Sequence, residues 1–222
     1  MSPRRLNDVV FDTVKERLLS GTYAPGERLS AESLRSEFGV SRQPAMEALR
    51  RLANEGMIRV VPQVGSIVAT YDQGTIEDFF FMFGNLEGSI TALAAQRRTD
   101  DQIAALDLNC AELDIVEPEA DDKVRSRRFR QNYRGFHGLV HDMAHTPFLA
   151  DTVSRMWDFS DFLMNTAFAT KPTGAFIGER HHDHDLIRDS IVAGDAGAAQ
   201  AAAASHIRNV AQMLHPRPSP GA

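Results

Sequence analysis

The stretch Phe38-Gly39-Val40-Ser41-Arg42-Gln43-Pro44-Ala45-Met46-Glu47-Ala48-Leu49-Arg50-Arg51-Leu52 constrains this chain more than any other. Gly39 permits a tight turn, and Val40 places an apolar peg just ahead of a new helix. Ser41 suits the N-cap, where its hydroxyl accepts a hydrogen bond from a first-turn amide. Pro44 falls in that first turn, where a missing N–H costs little. Ala45, Ala48, Leu49 and Leu52 recur at helical spacing and predict a buried face, which leaves Ser41, Arg42, Gln43, Met46 and Arg50 pointing outward. This is the pattern of the turn and second helix of a helix-turn-helix, whose leading residues reach base edges in the major groove.

The flanking sequence completes a small domain over residues 1–71. Val9, Val10, Thr13, Val14, Arg17 and Leu18 predict a first helix from about Leu6 to Leu19, ended by Gly21 and the Pro25-Gly26 turn. Ser30 caps a short helix through Phe38, and Gly56 suits the left-handed residue that closes the recognition helix. Met57–Val61 and Ser66–Thr70 are β-prone and separated by Pro62-Gln63-Val64-Gly65, a hairpin with its tip near Gly65. Three helices and a hairpin make a winged helix. Residues 1–71 carry ten Lys/Arg against eight Asp/Glu, a charge of +2, whereas residues 72–222 carry fourteen against twenty-two, a charge of −8. A basic head on an acidic body suits a protein whose first part meets phosphate. A winged helix used for protein contacts, with Arg50 and Arg51 as solvated surface, is the alternative.

After the short linker 72–74 the strand signals stop. Helical patterns run over about 75–98, 100–116, 122–145, 147–168, 174–193 and 196–213, with breaks at Thr99-Asp100, Pro118, Thr146-Pro147, Lys171–Gly174 and Gly194-Asp195. The fold class is therefore mainly α: a winged helix-turn-helix followed by an all-α antiparallel bundle over 75–214, with a mobile tail at 215–222. Cys110 is the only cysteine, so no intrachain disulfide can form. No apolar run is long enough to span a membrane, and Arg4 and Arg5 precede no signal-peptide core, so a cytoplasmic location is expected.

All eight histidines lie between residues 137 and 215. His184 and His206 flank the Gly194-Asp195 turn at nearly equal distances. At about 1.5 Å per residue both lie roughly 15–17 Å from it, level on antiparallel neighbours. With His137, on a separate helix, they could form a divalent-metal site. Spacing alone also accommodates histidines that are merely solvated or hydrogen-bonded.

The run "SGTYAPGERLSAESLRSEFGVSRQPAMEALRRLANEGMIRVVPQVGSIVA" closely resembles the DNA-binding head of GntR-type bacterial transcription regulators. "LEGSITALAAQR", "FHGLVHDMAHTPFL" and "HDLIRDSIVAGDAGAAQAAAASHI" resemble the effector-binding and dimerisation domain of the FadR-type branch. The resemblance implies a homodimer on a short palindromic double-stranded DNA operator. Ser41, Arg42 and Gly65 would contact DNA, with Gln43 reading or positioning bases and Arg50 on the same surface. It also implies a zinc or nickel ion on His137, His184 and His206, coordinated by a small carboxylic acid effector. Several positions depart from the pattern. Met46 and Ser33 stand where arginines are common, Tyr133 replaces the usual aspartate ligand four residues before His137, and Phe83 replaces an effector-pairing arginine. Tyr133 and Phe83 are accordingly candidate effector contacts.

These readings converge on a ligand-responsive DNA-binding regulator, acting as a repressor, and not on an enzyme. The alternative is a metal-dependent hydrolase with an appended head, in which Glu179, Asp183 or Asp185 serves as base beside a metal-bound water. No nucleophile–base motif accompanies the histidines.

Overall fold

Capping residues and glycines set the helix boundaries of a computed structural model, which describes residues 6–116, 120–167 and 177–213. The predicted mobile tail and the breaks at Pro118 and 171–174 lie outside the described residues. In chain order the elements are α1 (Leu6–Leu19), β1 (Arg28–Leu29), α2 (Ala31–Phe38), α3 (Arg42–Asn54), β2 (Ile58–Val61), β3 (Gly65–Val68) and α4 (Gln73–Arg97). They continue with α5 (Asp100–Val116), α6 (Asp122–Ala144), a 3-10 turn (Pro147–Leu149), α7 (Ala150–Ala167), α8 (Ile177–Ala193) and α9 (Ala196–Met213). This is a winged helix-turn-helix followed by a helical domain. The contacts form two compact units, one within Met1–Asp72 and Thr152–Ala169, the other within Gln73–Asp151 and Thr170–Ala222.

In the first unit, Val10, Val14 and Leu18 of α1 pack against the face of α3 made by Ala45, Ala48, Leu49 and Leu52, all buried. Each large aliphatic side chain contributes roughly 1.5–3 kcal/mol by leaving water. Ser30 caps α2, its hydroxyl accepting from the Ser33 amide at 3.0 Å. Gly39 adopts φ 63° at the turn and Gly56 φ 79° after α3. The cap expected at Ser41 does not form: the backbone there is extended, but the hydroxyl makes no capping bond and the residue stays exposed. The sheet runs β1-β3-β2, antiparallel throughout, with Val61 opposite Gly65 at the wing tip. Strand β1 was not legible in the sequence because two residues carry no period.

Most of α7 belongs to this unit although it lies far along the chain. Lys15 Nζ sits 2.7 Å from both Glu55 and Asp158. The Tyr71 hydroxyl donates to the Gly56 carbonyl at 2.7 Å while its ring meets Phe159 edge-on at 5.4 Å. The Asn165 side chain donates to the Leu19 carbonyl.

In the second unit, α4 packs along α9 at glycine-limited distance. A Cβ on Gly84 would lie 2.8 Å from the Ala204 carbonyl oxygen, and one on Gly88 2.7 Å from that of Gln200. The alanine-rich opening of α9 serves this approach, since Ala199, Ala203 and Ala204 are buried. Gly194, at φ 74°, turns α8 into α9, and Asp195 caps the latter by accepting from the Ala198 amide at 2.9 Å. Asn109 of α5 and Asn132 of α6 bond each other's backbone carbonyls at 3.2 and 2.7 Å, which fixes the facing of α6.

Candidate nucleic-acid interface and metal centre

A concave groove of about 940 Å³ opens on the first unit between α2, the exposed side of α3 and the wing. Arg28, Arg35, Arg42 and Arg50 line it, with Gln43, Met46, Gly65 and Ser66. Met46, 48% exposed, presents an apolar tip one turn after Arg42. Arg50 is held by Glu47 at 2.7 Å and Arg35 by Glu32 at 2.9 Å, exposed pairs that DNA phosphate can displace. Ser33 turns its hydroxyl back to the Ser30 carbonyl, so Arg35 brings the arginine of α2 to the groove instead. Of the residues expected at the interface, Arg42, Gln43, Arg50 and Gly65 line the groove; Ser41 is exposed at the start of α3 beside them. Arg28, on the strand that sequence reading missed, joins them.

The second unit gathers three histidines. His137 of α6, His184 of α8 and His206 of α9 are buried, and one ring nitrogen from each falls within 4.8 Å of the others. Metal–nitrogen bonds of about 2.1 Å in a tetrahedral site place ligand nitrogens about 3.4 Å apart, within reach of small ring rotations. His184 lies flat on Phe136, with centroids 3.9 Å apart and planes 6° from parallel, and neither of its ring nitrogens has a hydrogen-bond partner. Tyr133, where an aspartate was expected, stacks on the same imidazole at 4.9 Å.

A directional hydrogen-bond chain runs through this cluster. Arg180 donates to the Tyr133 oxygen, and Tyr133 then donates to His206 Nε2 at 2.8 Å. His206 Nδ1 in turn donates to Asp183 at 3.0 Å. On the other side Glu87 lies 3.5 Å from His137 Nδ1 and 3.0 Å from His141 Nε2. Carboxylates behind the Nδ1 atoms are how proteins orient metal-binding imidazoles and raise their basicity. The arrangement fits a divalent cation on three nitrogens, provided the Tyr133 hydroxyl releases His206 Nε2.

Burial depresses the pKa of all three rings, most strongly at His184 and His206, so they are neutral and able to ligate. Burial pushes the Glu87 carboxyl up, but hydrogen bonds from His137 and His141 outweigh it and hold the pKa at about 2. Burial lowers Arg180 to about 10, still a cation at neutral pH.

Sequence reading missed Glu87 and Arg180 as parts of the site, and named Asp183 only as a possible base in the hydrolase alternative. Arg180 had a usable signal, lying one turn before His184 on the same helix face. Glu87, and the place of Asp183 behind His206 Nδ1, become visible only once the helices pack. Asn132, beside Tyr133 in sequence, faces α5. Phe83 is fully buried one turn before Glu87, with its ring beside Phe79 at 5.5 Å.

Residues 6–68 match the bacterial regulatory proteins of the gntR family, and residues 78–209 match the FCD domain. The chain is a GntR-family regulator with an FCD domain. Over 211 residues this regulator is 24% identical to the HTH-type transcriptional repressor RspR of Escherichia coli K12, covering 94% of this chain and 89% of that protein. Its fold is similar to that of E. coli McbR/YncC, with a TM-score of 0.77 at 20% identity over 95% of this chain and 97% of that one. A putative GntR regulator from Rhodococcus sp. RHA1 gives a TM-score of 0.71 at 18% identity, covering 94% and 96%. The GntR regulators are transcription factors and not enzymes, and the hydrolase alternative finds no support among them. Among the described residues no helix is long and apolar enough to cross a membrane.

Proposed function

We propose that this GntR regulator is a homodimeric repressor that binds a palindromic operator and changes its DNA affinity when a small organic acid enters the FCD domain. The carrying observation is the groove in which Arg28, Arg35, Arg42 and Arg50 converge beside the leading turn of α3. Ser41, Arg42, Gln43 and Gly65 are the contacts nearest the bases, and Arg50 meets phosphate after leaving Glu47. Dimerisation sets two recognition helices one DNA turn apart. Phe81 and Met82, 56% and 67% exposed on α4, supply apolar surface for it. The effector shifts DNA binding only by its differential affinity for the two conformational states.

Arg42→Ala is expected to weaken operator binding without lowering the melting temperature. Losing a bidentate arginine–guanine pair costs roughly 1–3 kcal/mol, about a 5- to 150-fold rise in Kd. Fluorescence anisotropy with operator DNA measures it, and an unchanged Kd removes Arg42 from the interface.

His137, His184 and His206 would hold a divalent ion, zinc or nickel, in the FCD domain. Bound there, it would supply a Lewis-acidic point for an effector oxygen, with Tyr133 and Phe83 shaping the space around the ligand. Protein purified without a His tag is expected to contain the metal, to melt earlier after chelation and to recover when zinc is returned. Absence of metal combined with unchanged melting in both treatments overturns this assignment.

A further inference from the structure

Among the described residues, Arg180 is a buried cation of the histidine cluster that the metal reading does not use. Its side chain is 3% exposed and lies over the Tyr133 ring, with the guanidinium carbon 4.3 Å from the centroid. One terminal nitrogen donates to the Tyr133 hydroxyl, whereas the other, NH1, has no hydrogen-bond partner. Asp183, three residues on, attracts it electrostatically but gives its carboxylate to His206 Nδ1. Among the described residues no carboxylate forms an ion pair with Arg180. A buried guanidinium with a bare donor strongly opposes folding unless an anion completes it. Beside it, His184 keeps both ring nitrogens unpartnered at 0% exposure. A bare guanidinium donor and an unpartnered imidazole, both lying against the Tyr133 ring, suit a ligand with a charged end and a polar neighbouring group.

We propose that Arg180 is the anchor for a single carboxylate on the effector, held in a fork by the guanidinium and placed against Tyr133 and His184. The fork geometry of arginine matches a planar two-oxygen anion. The other fully or half-buried charges bonded to the cluster, Glu87 and Asp183, are carboxylates, so a monoanion fits and a dianion is repelled. The inference rests on the regulator reading but differs from it in one respect: the acid's charge is read by the protein and not by the metal. Tyr133 then carries signal as well as volume, because the anion competes for the arginine that polarises its hydroxyl.

The test compares thermal melting of the full-length protein in acetate and benzoate with melting in acetamide and benzamide, in the presence of chelator. The carboxylates should raise the melting temperature with concentration, and the matched amides should not. Arg180→Met should abolish that rise while leaving the ligand-free melting temperature equal or higher, since it removes an unpaired buried charge. Arg180→Lys should retain part of the rise. A strongly lowered ligand-free melting temperature in Arg180→Met assigns Arg180 a structural role and overturns the proposal. So does a carboxylate response that needs added zinc and survives Arg180→Met, or the absence of any carboxylate response in the wild type. Operator binding of the wild-type protein, measured on the same preparation, separates the two readings. Intact operator binding with no carboxylate response sinks only this inference, whereas loss of operator binding sinks the regulator reading.

Discussion

Gly88→Val is expected to unfold the FCD domain well below the melting temperature of the native chain. The first added carbon would stand 2.7 Å from the Gln200 carbonyl oxygen and 3.1 Å from Ala204 Cβ. Neither neighbour can yield cheaply, since one is helix backbone and the other a buried methyl. Replacing glycine inside a helix gains at most about 1 kcal/mol of propensity. Overpacking a seam of this kind costs about 1–3 kcal/mol and more when backbone must shift, and valine adds two further carbons. A net loss of about 3 kcal/mol lowers the melting temperature by roughly 6–12 °C in a chain of this size. Gly138→Ala is the control: a Cβ there meets nothing within 4 Å, and the substitution should stabilise by up to about 1 kcal/mol. Calorimetry on both variants decides the matter. A Gly88→Val protein that melts with the native chain would show that α4 and α9 are not in glycine-limited contact.

Glu87→Gln carries the second large effect, and its pH dependence has a definite sign. The carboxyl is fully buried, and its pKa falls from an ordinary 4.5 to about 2. A depressed carboxyl stabilises the fold fully above its unfolded pKa, near 4.5, and loses that contribution as pH falls towards the folded value near 2. A shift of this size corresponds to about 3 kcal/mol. The stability difference between native and Glu87→Gln proteins should therefore be near that value at neutral pH and should narrow steadily below about pH 4.5. Urea titrations at several pH values measure it, and a difference that stays constant between neutral pH and pH 3 sinks the assignment. The same substitution weakens the orientation of His137, so metal retention should fall in parallel.

Much of this was legible in the sequence because the signals are local. Gly39, Ser30 and Gly56 specify boundaries within a few residues of themselves, and the apolar period of α3 names its buried face. Even the convergence of His184 and His206 follows from counting outward from Gly194-Asp195. What escaped depends on which helix faces which. Glu87 stands on α4, yet its partners His137 and His141 lie on α6, and no periodicity in α4 announces them. Arg180 could be placed one turn before His184 from the sequence, but its burial and the bare end of its guanidinium appear only in the packed domain. Ser41 shows the reverse: a residue ideal for a cap in sequence leaves the cap unmade, where an exposed helix start also suits an incoming phosphate.

The placement of α7 bears on how the protein could be dissected. A fragment ending at Asp72 looks like a complete DNA-binding module in sequence, but it would lack Asp158, Phe159 and Asn165. Lys15 would lose one of its two carboxylates, Tyr71 its aromatic neighbour and the Leu19 carbonyl its donor. Covalently, α7 also joins α6, which holds Tyr133 and His137, to α8, which holds Arg180 and His184. The polypeptide that links the two sides of the histidine cluster therefore belongs in part to the unit that carries the recognition helix. The head is built in two instalments, and along the sequence the second falls between two segments of the FCD domain.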